Sequence, residues 1–187
     1  MINYCTCRNC VEGNEPNNPY VLYSKPYKLT DIELIFDIRA AALCRYGCER
    51  FKRKPTCPPN IPKSDFFEIA IKKYDNIYVL GRQYPYDDGM FQSHWRTYST
   101  NEIHDRLITK ERELFNQGYI YAKSFIGGSC KVCSSNSCNP SKCNIPKRGR
   151  VPLEATGVNV FHLIKSIGMD YQEPPKDFFW RIGVVFY

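Results

Sequence analysis

Apolar residues recur at helical or alternating spacing in several short stretches, separated by polar, proline-rich and cysteine-rich sequence. Thr30-Asp31-Ile32-Glu33 reads as a capping box, and Ile32, Ile35, Phe36 and Leu43 follow at helical spacing. They predict a helix over about residues 31–42 that delivers the chain to Cys44. Residues 50–62 are basic and proline-rich, hence a loop. Ser64 predicts the cap of a second helix over 65–73, and the run Asn76-Ile77-Tyr78-Val79-Leu80-Gly81 predicts a strand. Residues 84–98 hold Pro85, Asp87-Asp88-Gly89 and many aromatics, which suits an ordered loop. Ser99-Thr100-Asn101-Glu102 is a second capping box, opening a helix to about Gln117 that Gly118 stops. Residues 119–126 read as a strand, Pro152 as the start of a helix to about Ile167, and 181–187 as a terminal strand. Val158, Phe161, Leu163 and Ile164 are available for burial on that last helix.

Strands mixed with helices predict an α/β or α+β fold, with a small mixed sheet flanked by helices and cysteine-rich loops. Residues 1–28, rich in Asn and Pro, read as a cysteine-containing N-terminal arm with a short strand at Val21-Leu22-Tyr23. Residues 29–187 read as a single domain, with cysteine loops at 44–59 and 127–150. No internal repeat is visible.

With 43% hydrophobic and 24% charged residues the chain is globular rather than disordered. No stretch approaches the ~20 apolar residues of a membrane helix, and Met1-Ile2-Asn3-Tyr4-Cys5 is not a secretory signal. A soluble, cytoplasmic protein is expected. Ten cysteines in 187 residues then decide the chemistry. They serve as disulfides in an oxidising compartment or as metal ligands in a reducing one. They fall into three tight groups with a long cysteine-free stretch at 58–129, which favours metal.

Cys130, Cys133, Cys138 and Cys143 lie within one compact loop, interleaved with Ser134, Ser135, Asn136, Ser137, Asn139 and Ser141. Zinc ribbons more often pair two knuckles separated by a longer excursion, whereas iron–sulfur clusters often draw several ligands from one loop. Small polar residues permit tight turns and leave amides free to bond cluster sulfur. A [4Fe-4S] cluster is favoured, with zinc as the alternative. Cys44, Cys48 and Cys57-Pro58 form a set one ligand short. The fourth ligand comes from elsewhere (Cys5, Cys7, Cys10, a His or a carboxylate), or the position is open to water or substrate, or some of these thiols are merely buried. Cys5, Cys7 and Cys10 near the terminus are possible additional ligands or a reactive thiol patch.

His94, His104 and His162 read as ordinary solvated or hydrogen-bonded residues, and Asp87-Asp88 as a turn. The formal net charge is +7, with basic residues concentrated beside the cysteines. They offset thiolate charge, or they bind an acidic partner such as nucleic acid. Arg45, Arg50, Arg53 and Lys54 are candidates to orient a small anionic substrate. No phosphate-binding glycine loop, nucleophile elbow or zinc-protease helix is present, and the 44–48–57 spacing does not fit a radical-SAM motif.

Ala42-Leu43-Cys44-Arg45-Tyr46-Gly47-Cys48, Cys57-Pro58-Pro59, Gly118-Tyr119, Gly127-Gly128-Ser129-Cys130-Lys131-Val132-Cys133 and the stretch from Leu153 to Phe161 occur in this order. Together they resemble the bacterial and archaeal "predicted metal-binding protein" family, domain-of-unknown-function family 2284, over roughly residues 38–187. The resemblance implies a metal-binding, cysteine-rich protein common among anaerobes, with no established reaction. It implies Cys44, Cys48, Cys57, Cys130, Cys133, Cys138 and Cys143 as ligands.

Three functions remain open at this point. One is an iron–sulfur protein, with one or two [4Fe-4S] clusters, serving a redox partner by electron transfer. The second is an enzyme with an open-site cluster on Cys44/Cys48/Cys57, acting on a small anionic or sulfur-containing substrate. The third is a zinc-structured module that binds nucleic acid or protein. Oligomeric state is not written in the sequence.

Overall fold

Two long strands form the centre of the protein, and their alternation decides which layer lies on which side. In the computed structural model, residues 22–86, 93–133 and 138–187 are described, without the side chains of 93–96. Cys5, Cys7, Cys10, Asp87, Asp88 and the side chain of His94 lie outside the described residues. Strand β2 (Asn76–Pro85) pairs with β4 (Phe178–Phe186), with Val79 opposite Val184 and Leu80 opposite Gly183. Strand β1 (Leu22–Lys28) adds to the far side of β2, and β3 (Lys123–Phe125) to the far side of β4. The order is β1-β2-β4-β3 and every strand pairing is antiparallel, so the fold is α+β.

Because successive side chains point to opposite faces, Ile77, Val79, Ile182, Val184 and Phe186 enter one core while Leu80 and Val185 enter another. Helix α3 (Ser93–Asn116) covers the second face with Ile103, Leu107 and Leu114. Helices α2 (Ser64–Ile71) and α4 (Val160–Ser166) cover the first with Phe67, Ile71, Leu163 and Ile164. The sheet is therefore buried on both faces, and Val184 and Val185 are fully buried in succession. Gly183 lets α3 approach, since a Cβ there would stand 2.3 Å from Leu107 Cδ1 and 2.7 Å from the Phe125 carbonyl oxygen.

Several predicted boundaries move, each for a physical reason. The Thr30 capping box opens no α-helix. A single 3-10 turn (Leu29–Asp31) is followed by extended chain, because Ile32, Leu34 and Phe36 pack on the first core. Helix α1 (Ile38–Arg45) starts later, where the Asp37 carboxylate accepts the Arg39 N–H at 2.9 Å. The box at residues 99–102 lies inside α3, which begins at Ser93 within the expected loop. Glu102 there accepts from Tyr84 Oη at 2.8 Å and pairs with Arg82 instead of capping. Strand β2 likewise runs on to Pro85. The strand expected over 119–126 shortens to β3, since Tyr119 to Tyr121 form a turn after Gly118. The helix expected from Pro152 is split. A 3-10 turn (Glu154–Thr156) ends at Gly157 with φ +90°, and Asn159 then caps α4 through the His162 N–H at 3.0 Å.

Candidate metal centre

The first cysteine set is assembled by a short cross-chain pairing. The Asp37 N–H donates to Gly157 O at 2.7 Å, and the Asn159 N–H to Ile35 O at 2.8 Å. This pairing sets α1, which carries Cys44, beside the 3-10 turn that begins at Glu154. Successive turns follow: the Phe51 N–H donates to Cys48 O, the Lys52 N–H to Pro58 O and the Cys57 N–H to Lys54 O, all at 3.0–3.1 Å. They fold Cys48 and Cys57 back toward Cys44. All three thiols, together with Glu154, line one cavity of about 580 Å3. Its apolar wall includes Leu43, Phe51, Pro152, Val158 and Phe161.

Burial and neighbouring groups shift two of these thiols. Burial, then the neighbouring Cys48, then Glu154 push Cys44 up to about 11. Burial, then Cys48 and Cys44, push Cys57 up to about 12, against the pull of Lys54 and the Thr56 hydroxyl. Burial also raises the Glu154 carboxyl, against backbone amides, including that of Gly128, and the charge of Arg181. The Gly128 N–H stands 3.2 Å from both Glu154 oxygens.

The second set lies in the loop that returns from Ile126 to Arg150. Its base is closed by the Ile126 N–H to Val151 O at 3.1 Å and the Leu153 N–H to Ile126 O at 2.8 Å. A Cβ on Gly127 would stand 2.2 Å from Ile182 O, so only glycine lets the loop leave the sheet here. Cys130 is buried, while Cys133, Cys138 and Cys143 are half-buried. Burial raises the Cys138 thiol, Lys54 opposes this, and Cys133, Cys130 and Cys143 add to it. The four thiols thus share one electrostatic neighbourhood. Lys54, only 5% exposed, donates its ammonium to Cys130 O and acts on both Cys57 and Cys138, so it stands between the two sets.

Arg150 fastens this loop to α3. Its guanidinium donates to both Glu111 oxygens, at 3.0 and 2.7 Å, and to Ser124 Oγ at 2.8 Å. The Ser124 N–H also donates to Glu111 at 2.7 Å. Burial alone would raise the Glu111 carboxyl, but the Ser124 and Arg150 bonds outweigh it and hold the pKa below the usual range.

The seven described cysteines are all free thiols. Among the described residues, no group of three Cys, His, Asp or Glu side chains is arranged to hold a metal ion as it stands. The donor set nonetheless fits one: soft thiols gathered in a set of three and a set of four are the ligands such a metal takes, and a bound cation stabilises them as thiolates. Arg45, Arg50, Arg53 and Lys54 are not among the residues lining the cavity. His162 bonds Glu33 at 2.8 Å, and His104 is buried on α3, where burial lowers its imidazole pKa. Neither lines the cavity. Sequence reasoning gave no role to Glu154 or Asp37. An acidic residue just after Pro152 in an apolar run, and an Asp directly before Ile38-Arg39-Ala40-Ala41-Ala42, were the signals for them.

An α+β domain that gathers two sets of free thiols against one buried lysine is a cysteine-rich protein with the soft donors a metal takes. The family described as "Predicted metal-binding protein (DUF2284)" matches residues 28–187, and the chain belongs to it. No curated protein and no solved structure matches the chain. No helix among the described residues is long and apolar enough to cross a membrane.

Proposed function

We propose that the protein binds iron–sulfur clusters, one on Cys44, Cys48 and Cys57 and a second on Cys130, Cys133, Cys138 and Cys143. The observation that carries this reading is the convergence of Cys44, Cys48 and Cys57 on a single cavity of about 580 Å3. A four-iron cluster is larger than one ion and suits thiols arranged around a space. The second set, four thiols in one loop, suits a closed site. Bound clusters would supply one-electron redox chemistry, or a Lewis-acid iron where a cluster has three cysteine ligands. The seven described cysteines are free and so available as ligands.

The cavity favours the open-site reading as well as simple electron transfer, because it leaves room for a ligand beside the three cysteines. An anion oriented by Arg45, Arg50, Arg53 and Lys54 gains no support, since none of them lines that cavity. The zinc-structured module that binds nucleic acid or protein is the remaining alternative.

The test is purification without oxygen, followed by a visible spectrum and counts of iron, sulfide and zinc per chain. Brown protein with about eight irons matches two four-iron clusters, and about four matches one. Cys48→Ala and Cys138→Ala, measured separately, assign iron to each set. Zinc with neither iron nor sulfide overturns the proposal and puts the zinc module in front.

A further inference from the structure

Helix α1 turns Cys44 toward the cavity and bares apolar side chains on its other side. Ala40 and Cys44, four residues apart, line the cavity. Ile38, Ala42, Arg45 and Tyr46 follow the spacing i, i+4, i+7, i+8 and form a stripe on the opposite side, and none of them lines the cavity. The Tyr46 N–H bonds Ala42 O at 3.1 Å, so Tyr46 keeps the helical spacing just past Arg45. Ile38 is 75% exposed and Tyr46 80%, the highest value among the large apolar side chains described. One exposed apolar residue is ordinary, but two on one stripe of a helix with no buried residue make a face without a cover.

The charges left free around that stripe have one sign. Asp37 holds Arg39 at 2.7 Å, and Glu49 holds Arg50 at 3.1 Å. Arg45 at the end of α1, and Lys52 and Arg53 in the turns after Cys48, are exposed and make no ion pair among the described residues. Tyr and Arg around an apolar centre are residue types enriched at protein–protein interfaces. Tyr46 suits base stacking, yet Ile38 and Ala42 on the same stripe do not, so a protein fits this face better than a nucleic acid.

We propose that the outer face of α1, with the turns that follow it, docks an acidic protein. Carboxylates of that protein meet Arg45, Lys52 and Arg53, and an apolar side chain of its own covers Ile38 and Tyr46. A helix with its side chains is about 10–12 Å across, so the docked protein lies one helix away from Cys44. Where Cys44, Cys48 and Cys57 hold a cluster, as proposed above, this protein is its redox partner. The docking itself rests only on α1 and its charges.

Three probes test it: an acidic ferredoxin, the basic protein cytochrome c and a single-stranded oligonucleotide. Each is passed over the immobilised full chain in surface plasmon resonance without oxygen, with metal counted on the same preparation. The ferredoxin is expected to bind most tightly and to lose affinity as salt rises. Arg45→Glu weakens it about tenfold at low salt, whereas Lys25→Glu, the same change of net charge placed on β1, weakens it by less than about twofold. Tyr46→Ala weakens it about fivefold. Arg45 and Tyr46 are exposed, so Tm stays unchanged in both variants. Ferredoxin binding no tighter than either other probe, equal losses in Arg45→Glu and Lys25→Glu, indifference to Tyr46→Ala, or no ferredoxin binding overturns the proposal. An iron-free preparation that binds ferredoxin through Arg45 and Tyr46 sinks the cluster reading and leaves this surface standing. A cluster-loaded chain that ignores ferredoxin does the reverse.

Discussion

The two cysteine loops are held in different ways. The 127–150 loop is closed at its base by backbone bonds between Ile126 and residues 151–153. It is fastened to α3 by the Arg150–Glu111–Ser124 network, in which the Arg150 side chain is 6% exposed. The 44–57 loop leaves from α1, a helix with no buried residue. Its α1 end is tied to the domain by two backbone bonds to residues 157 and 159 and by the Asp37 cap, and its far end by the buried Lys54, which donates to Cys130 O. One set of thiols is braced by a nearly dry ion pair. The other stands on a lightly tied helix at the edge of a cavity. Bracing suits a site that keeps one geometry, and light tethering beside a cavity suits a site that something enters and leaves.

The comparison breaks most decisively at the brace. Glu111→Gln leaves the Arg150 guanidinium buried without its carboxylate, and a loss of roughly 3 kcal/mol is expected. Urea denaturation gives the value. Limited proteolysis should then cut within 127–150 before 44–57, and cutting in the reverse order contradicts the brace. Acid acts on the same group. The folded-state pKa of Glu111 is depressed, so its stabilisation is complete above the unfolded value of about 4.3 and is lost as pH falls through the folded value. In wild type the midpoint denaturant concentration should therefore fall below about pH 4.3, and in Glu111→Gln this part of the pH dependence should vanish.

Smaller effects probe the tether. Gly157→Ala places a side chain at φ +90°, with its Cβ 3.1 Å from Ser64 Cβ, and should cost about 1–2 kcal/mol. Hydrogen exchange should quicken in α1 and leave the Arg150 region unchanged. Asp37→Ala removes the α1 cap, worth about 1 kcal/mol. Metal should then be lost from the Cys44 set under chelator before the Cys130 set, and equal rates would erase the distinction between the loops. Leu43→Ser, at an exposed position, should leave stability within about 0.5 kcal/mol. A larger change would mean that α1 packs more firmly than its exposure indicates.

Much of this was legible from local pattern. The apolar run of β2 at Ile77, Val79 and Leu80, the Gly118 stop and the terminal strand follow from short-range pattern and backbone freedom. The clustering of the cysteines and the family resemblance likewise lie in residue order, and the family assignment agrees. Capping boxes were legible too, yet misleading. Whether Thr30 or Asp37 begins a helix depends on whether Ile32 and Phe36 are needed by a distant core. Ser99 lies mid-helix because Glu102 finds partners on β2, across the sheet interface.

By itself the sequence determined the residue types, their local spacing and the gathering of soft donors into three groups, because those depend on neighbours in the chain. Tertiary structure alone decided that the sheet is antiparallel and covered on both faces. It decided that Lys54 stands between two sets of thiols, and that Glu154 shares a cavity with Cys44 across more than a hundred residues. Such contacts carry no periodic signal. They exist because burying the β2 and β4 side chains on both faces of the sheet brings segments distant in the chain into contact.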